Sequence, residues 1–338
     1  MKFFIYCFRE FDEKEYFDEF AEKYNVEYAY STEYPSYENA ALAQGYDAVS
    51  FTPCHIDRVM IDRFKSLGVK YFSTRSIGFD HIDLEYAKSV GIGVSNVSYP
   101  PDTVADYSVM LMMMCCKKMG HILKRSEVQD YTLMGKIGKN LKDCVVGIVG
   151  TGHIGRAVIK RLAGFGCKIL AYDPYENDEI KNVAEYVDFD TLLKYSDIIT
   201  LHTPGSDENH HLLDSDAFEK MKKGVIIINT ARGRLIDTDA LINAIERGRI
   251  ESAALDVLED ETGLYYANRM GDCIVNRQMA VLRSFPNVIL TPHTAFYSRE
   301  VVSNMAEKTI KCVLDMENGI ENANIIIKPK YSLTNGSA

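Results

Sequence analysis

Three side chains of different chemical type follow three β-prone runs: Arg232 after GVIIINTA, Glu261 after AALDVLED and His293 after NVILTP. In an open α/β sheet, ligands sit beyond the carboxyl ends of the strands, so residues leaving successive strands arrive at one rim. An imidazole, a carboxylate and a guanidinium meeting there make a proton donor, its anionic partner and a fixed cation. Taken singly, each has a plainer reading. Arg232 could pair with Asp237, and Glu261 belongs to the acidic run Glu259, Asp260, Glu261, which could be a solvated loop. A lone histidine near a strand end is commonly a hydrogen-bonded core residue. Convergence is what makes the three a candidate site.

A second constellation lies upstream. The run VVGIVGTGHIGRAVIKRLAGFG carries G-x-G-x-x-G as Gly150, Gly152 and Gly155, directly after a β-branched strand and at the start of an amphipathic helix. Gly150 permits a tight turn, Gly152 lets backbone N–H groups approach a diphosphate, and Gly155 lets helix and strand pack closely, with the helix N-terminus facing the anion. The next strand, KILAY, ends at Asp173, about 20 residues on, where a carboxylate can accept hydrogen bonds from ribose hydroxyls. A 2′-phosphate beside Asp173 would meet like charge, and DPYENDE offers no arginine to offset it, so the pattern expects NAD rather than NADP. His202 ends a strand beside this turn without an acid partner in sequence. His210 and His211 are adjacent in the polar loop SDENHH and are expected to diverge in direction, and His55, His81 and His121 read as structural.

These groups need elements to hold them. Strands are expected at Lys2 to Phe8, Val26 to Tyr30, Asp47 to Phe51, Val69 to Thr74 and Gly93 to Val97, alternating with helices, which means a parallel sheet. After Pro100 and Pro101, Asp102 or Thr103 can cap a long helix with the face VADYSVMLMMM, and the basic, polar stretch through Lys139 is a plausible joint. A second series follows, with strands near Val145 to Val149, Lys168 to Tyr172, Ile198 to His202, Val225 to Asn229, Ser252 to Val257 and Val288 to Thr291, a complete dinucleotide-type set. A last helix spans about Ser298 to Gly319, with a polar tail behind it.

Composition limits the function classes. At 338 residues, two domains of about 150 each are expected. Lys plus Arg number 38 against 48 for Asp plus Glu, and the net charge of −10 opposes phosphate backbones and anionic lipid. The longest apolar run, Val109 to Cys116, is far short of the roughly 20 residues a bilayer needs, and the N-terminal stretch turns acidic where a signal peptide would need a cleavage site. Eight cysteines without a C-x-x-C pair form neither a zinc pattern nor a disulfide framework. The expectation is a cytoplasmic protein with reduced thiols and no metal, nucleic-acid or membrane partner.

The segments VKYFSTRSIGFDHID, NVSYPPDTVADYSVML, VGIVGTGHIGRAVI, DIITLHTP, INTARGRLIDTDALINAIERG, ALDVLEDETG and PNVILTPHTAFYS follow in that order along nearly the whole chain. Through them the sequence resembles the NAD-dependent D-2-hydroxyacid dehydrogenases, in particular their D-lactate dehydrogenase group. The resemblance implies an α/β fold of two parallel-sheet domains: a flavodoxin-like substrate domain from residues 1–99 and 298–338, and a Rossmann-type NAD-binding domain from 100–297. It implies that Arg232 binds a substrate carboxylate, that His293 is the acid/base, and that Glu261 hydrogen-bonds His293. Cofactor contacts are implied at His153 and Ile154, at Asp173, and at Thr203, Pro204 and Asn209, with Thr230, Ala231, Arg232 and Asp256 near the nicotinamide. The N–H groups of Ile77 and Gly78 would hold the carboxylate, with Tyr99 and Phe296 closing the pocket, and the loop Thr52 to His55 would border the substrate side chain.

The reaction so implied is reversible reduction of a 2-oxo acid to the (R)-2-hydroxy acid, pyruvate to (R)-lactate first, with 2-oxoisocaproate- or phenylpyruvate-sized substrates as the alternative. An NADH-sensing corepressor on the same scaffold is the alternative of another class. A homodimer is implied, with contacts near Val104 to Met114. Pro100 and Asp106 stand where many relatives have Ser and Glu, which puts pocket detail in question.

Overall fold

The computed structural model describes residues 1–261 and 263–329. The chain divides into two units, Met1–Pro100 with Tyr297–Ala338, and Pro101–Phe296. Residues 330–338 of the expected substrate segment lie outside the described residues.

In the first unit, β1 (Lys2–Ile5), β2 (Glu27–Tyr30), β3 (Ala48–Phe51), β4 (Tyr71–Thr74) and β5 (Gly93–Ser95) pair in parallel in the order β5-β4-β3-β1-β2. This is the flavodoxin-like order, with its switch point between β1 and β3. Successive strand residues point to opposite faces, so each strand feeds two cores. Phe3 and Ile5 pack with α1 (Lys14–Tyr24) and with α11 (Arg299–Glu317), which returns from the far end of the sequence. Phe4, Val49 and Phe51 pack with Phe64 of α2 (Arg58–Ser66) and Ala87 of α3 (Leu84–Val90).

The segment after Gly319, expected to be a polar tail, instead forms β13 (Ile325–Ile327), which pairs antiparallel with β5 at the sheet edge. Its apolar content is only three isoleucines, too short to register as a periodic signal. Arg75, leaving β4, is fully buried; it donates to Glu13 Oε1 at 3.1 Å, Ser50 Oγ at 3.1 Å and the carbonyls of Tyr6 and Cys7 at 2.8 and 3.0 Å. These bonds satisfy a charge that would otherwise be very costly to bury.

Among its described residues the second unit holds seven parallel strands: β6 (Val145–Val149), β7 (Lys168–Tyr172), β8 (Glu185–Tyr186), β9 (Ile198–Leu201), β10 (Val225–Asn229), β11 (Ile250–Leu255) and β12 (Val288–Leu290). Their order is β12-β11-β10-β9-β6-β7-β8, so the chain runs outward through β7 and β8, then reverses at β9. The reversal opens a crevice beyond β6 and β9, where such sheets bind ligands. All five residues of β10 are buried. Val225 and Ile227 face α7 (Phe189–Tyr195), α8 (Ser215–Lys220), α9 (Thr238–Glu246) and α10 (Arg277–Ser284); Ile226 and Ile228 face α4 (Asp102–Cys116) and α6 (His153–Ala163). Burying each such isoleucine stabilises the fold by about 1.5–3 kcal/mol.

Two local expectations change. Neither Asp102 nor Thr103 caps α4: Pro101 occupies the cap, and Asp102 is the first helical residue, paired with Arg161 of α6 at 2.8 Å. Asp106, one turn on, pairs with the same Arg161, so its carboxylate ties α4 to α6. The stretch through Lys139, read as a joint, carries α5 (Met119–Glu127) and belongs wholly to the second unit; the chain crosses between units at Pro100/Pro101. Val104, Val109, Leu111 and Met112 of the Met-rich face are buried. Burial pushes the Cys115 thiol up to about 11 and that of Cys116 up to about 12, which suits packing thiols. No helix among the described residues is long and apolar enough to cross a membrane.

Candidate active site

The glycine turn sits in the β6/β9 crevice, and its geometry is what a diphosphate needs. Gly150 has φ +94°, and a Cβ there would lie 2.6 Å from the His202 carbonyl oxygen; at Gly155 it would lie 2.0 Å from the carbonyl of Gly150 itself. Only glycine permits that turn and that approach. Among the described residues, a Cβ at Gly152 would meet nothing within 4 Å, and no side chain caps α6. The first-turn N–H groups of His153, Ile154 and Gly155, together with the positive end of the helix dipole, are therefore available to an anion.

Asp173, just past β7, accepts from Thr151 N at 2.6 Å and from Thr151 Oγ1 at 3.1 Å, which fixes its carboxylate beside the turn. Tyr186 of β8, a strand absent from the sequence reading, donates to Thr151 Oγ1 at 2.9 Å. After β9, Asn209 donates to Thr203 Oγ1 at 3.2 Å and to the Pro204 carbonyl at 3.0 Å, closing that loop on itself. His202 shares Nε2 with Thr200 Oγ1 at 2.9 Å, while its Nδ1 is enclosed without a hydrogen-bond partner among the described residues. Burial pulls its pKa down to about 3, so this ring stays neutral.

The strand register aligns Asn229 with Leu255, and Leu255 with Leu290, so β10, β11 and β12 end side by side and release Arg232, Glu261 and His293 at one rim. His293 Nδ1 and Glu261 Oε1 are 2.5 Å apart. Glu261 Oε2 accepts from Leu258 N at 2.8 Å, so the carboxylate is oriented from its own loop. His293 adopts φ +52°, a conformation uncommon for a residue with a Cβ; its N–H is within hydrogen-bonding distance of the Asp256 carbonyl, 2.8 Å, and the Thr291 carbonyl, 3.0 Å. The ring meets Phe296 edge-on at 6.2 Å, and Nε2 has no hydrogen-bond partner among the described residues. One nitrogen is committed to the carboxylate, and the other is open to a reacting atom.

Asp256 is fully buried and spends both oxygens on the histidine segment, accepting from Thr291 Oγ1 at 2.6 Å, Thr294 N at 2.9 Å and Ala295 N at 2.9 Å. Asn229, which sequence reasoning passed over, splints the Arg232 turn by accepting from Ala231 N at 3.0 Å and donating to the Arg232 carbonyl at 2.9 Å. Arg232 donates from Nη1 to the Ala231 carbonyl at 2.8 Å, and Thr230 shares a 2.7 Å hydrogen bond with Ser108 of α4. Gly233 was also missed. A Cβ there would lie 2.0 Å from the Leu258 carbonyl carbon, so glycine is what lets the arginine turn seat against the loop that carries Glu261. The G of TARG was the available signal, but its need arises from a segment distant in sequence.

The adjacent histidines correct an expectation. His210 and His211 do not diverge: His211 has φ +53°, and the two rings stack at 3.9 Å and 22°. The acidic run is likewise no solvated loop. His211 Nε2 lies 2.7 Å from Glu259 Oε1, while Glu261 serves His293, and Asp260 between them turns the backbone at φ +53°.

In the first unit, the Ile77 and Gly78 carbonyls accept from Asn96 Nδ2 at 2.7 Å and Ser76 Oγ at 2.6 Å, while their N–H groups donate to no acceptor among the described residues. Tyr99 is half-buried. In the loop after β3, Thr52 and Cys54 are buried and Pro53 and His55 exposed.

Over residues 109–295, more than half of its length, the chain matches the family model of the D-isomer specific 2-hydroxyacid dehydrogenase NAD binding domain. It belongs to this family. It is 41% identical over 324 residues to an aromatic 2-oxoacid reductase of Clostridium sporogenes, covering 94% of this chain and 96% of that one. It is 47% identical over 258 residues to a D-specific alpha-keto acid dehydrogenase of Enterococcus faecium, covering 76% and 79%. Among solved structures it is similar to the apo D-lactate dehydrogenase of Escherichia coli, with a TM-score of 0.85, 32% identity and coverage of 97% and 100%. The protein is thus an NAD-dependent oxidoreductase acting on the CH–OH group of 2-hydroxy acids. The uncapped helix, the open space beside Gly152 and the carboxylate at Asp173 fit that cofactor.

Proposed function

We propose that the enzyme reduces pyruvate to (R)-lactate, with Arg232, Glu261 and His293 as its working residues. The observation that carries the residue assignment is the 2.5 Å His293–Glu261 contact with Nε2 left open. Glu261 holds Nδ1–H, which fixes the ring and directs Nε2–H at the substrate carbonyl oxygen. Arg232 takes the substrate carboxylate as a two-pronged cation, and so holds C2 in a single orientation. When bound on the glycine turn, NADH would supply a hydride for C2, and the proton given up by His293 completes the hydroxyl.

Asp256 acts as a positioning residue, since its buried carboxylate secures the segment around His293. Gly150, Gly152, His153, Ile154 and Gly155 are assigned to the diphosphate and Asp173 to the adenosine ribose, with Thr203, Pro204, Asn209, Thr230 and Ala231 beside the dinucleotide. Ile77 and Gly78 are assigned to the substrate carboxylate by their unspent N–H groups, and Tyr99 and Phe296 to the substrate side chain. A cytoplasmic homodimer completes the reading, with mass from light scattering as its check.

A second reading has one specific support: the 41% identical relative is named for aromatic 2-oxo acids. Initial rates on pyruvate, 2-oxobutyrate, 2-oxoisocaproate, phenylpyruvate, oxaloacetate and 2-oxoglutarate, with chiral analysis of products, separate the two. Highest kcat/KM on pyruvate with (R)-lactate as product is expected. A preference for phenylpyruvate installs the second reading, and an (S) product removes both.

A further inference from the structure

We propose that His210, His211 and Glu259 form a binding site for a transition-metal dication of the zinc type, separate from the His293–Glu261 pair. Adjacent residues seldom aim two side chains at one point, because an ordinary extended or helical backbone turns them apart. Here the left-handed conformation of His211 brings the imidazoles face to face at 3.9 Å. Glu259 reaches them from the loop after β11, with Oε1 2.7 Å from His211 Nε2. One ligand atom from each of the three lies within 4.8 Å of the others. Zn–N distances of about 2.0–2.1 Å put tetrahedral ligand atoms roughly 3.3 Å apart, and a metal lies in the plane of each imidazole it binds, so the exposed His210 ring turns out of the stack and closes in to bind.

The surroundings suit a metal ligand set. Glu259 Oε2 accepts from Thr238 Oγ1 at 3.0 Å and Thr238 N at 3.3 Å, which leaves Oε1 to face the rings. Asp237 lies 3.9 Å from His211 Nδ1, on the side of the ring away from Glu259, beyond hydrogen-bonding distance but in the position from which an outer carboxylate would approach a metal-bound imidazole. Two neutral imidazoles and one carboxylate favour Zn²⁺, Ni²⁺ or Cu²⁺ over Mg²⁺ or Ca²⁺, which prefer oxygen ligands. With three protein ligands and an exposed edge, water completes the coordination. A metal held there clips the loop after β9 to the loop after β11.

The test uses the full chain carrying Cys273→Ser, since Cys273 is an exposed thiol that would itself take up zinc. Metal-free protein is titrated with ZnCl₂ in a non-coordinating buffer, by calorimetry and by competition with a chromogenic chelator. One equivalent bound with low-micromolar Kd, a raised Tm and no saturable binding of MgCl₂ are expected. His210→Ala, at an exposed position, should weaken zinc at least tenfold while metal-free 2-oxo acid reduction stays unchanged, and Glu259→Gln should weaken it too. Absence of saturable zinc binding overturns the site, as does zinc binding that both variants leave intact.

Discussion

Two carboxylates two residues apart each engage a histidine, and the pairs end up equipped for different work. Glu261 and His293 meet at 2.5 Å, Glu259 and His211 at 2.7 Å. What differs is the rest of each ring and each carboxylate. Glu261 takes its second hydrogen bond from its own loop and leaves the far nitrogen of His293 open, whereas Glu259 is also bound by Thr238, and His211 has a second imidazole against its face. Pair distance alone therefore does not set what a histidine can do; that follows from what its second nitrogen can reach.

The widest separation between the pairs should appear on removing the rings. His293→Ala is expected to keep NADH binding and lose roughly 10²- to 10⁴-fold in kcat, the usual worth of general acid/base help. His211→Ala should hold kcat within about threefold and cost about 1 kcal/mol of stability, as a partly exposed charge-assisted bond does. Stopped-flow NADH oxidation and urea unfolding read the two; comparable kcat losses would erase the distinction.

Neutralising the carboxylates comes next. Glu261→Gln should lower kcat by at least about tenfold, because the ring loses its orienting anion. Glu259→Gln should leave kcat within about threefold. An unchanged kcat in Glu261→Gln would detach Glu261 from the reaction.

The last effect, on stability alone, comes from a third imidazole at the same rim, which has no carboxylate against it among the described residues. Burial holds the pKa of His202 near 3 against an ordinary 6.5, so below pH 6.5 the unfolded chain takes a proton that the folded chain refuses. Its contribution to stability is whole above pH 6.5 and is lost as pH falls toward 3, with a slope of at most about 1.4 kcal/mol per pH unit. Urea unfolding of His202→Asn between pH 6.5 and 4.5 should be flatter than the parent's. Equal slopes would mean that His202 takes up protons in the folded chain.

The parts legible in the sequence are those whose cause is local. The glycine turn is written in adjacent residues, and strand order brings Arg232, Glu261 and His293 to one rim because each follows its strand closely. What escaped reading depends on distant partners or on a single dihedral angle. Gly233 is required by the backbone of Leu258, Asp102 is drawn from capping by Arg161, and Asp256 acts through atoms at 291–295. The stacking of His210 on His211 rests on one left-handed residue, which no periodicity reveals. β13 was lost because three isoleucines in a polar surround carry too little pattern.

The return of α11 to the first unit bears on how the polypeptide is made. Pro101–Phe296 is continuous and can close its core as soon as it leaves the ribosome, but Phe3, Ile5 and Phe17 wait for Ala306, Ile310 and Val313 to be synthesised. For most of translation the earliest-made strands thus lack the cover of their last helix, the state in which nascent chains most need chaperones. A stop codon just after Phe296 would spare the coenzyme-binding unit and leave the other unit without one wall of its core.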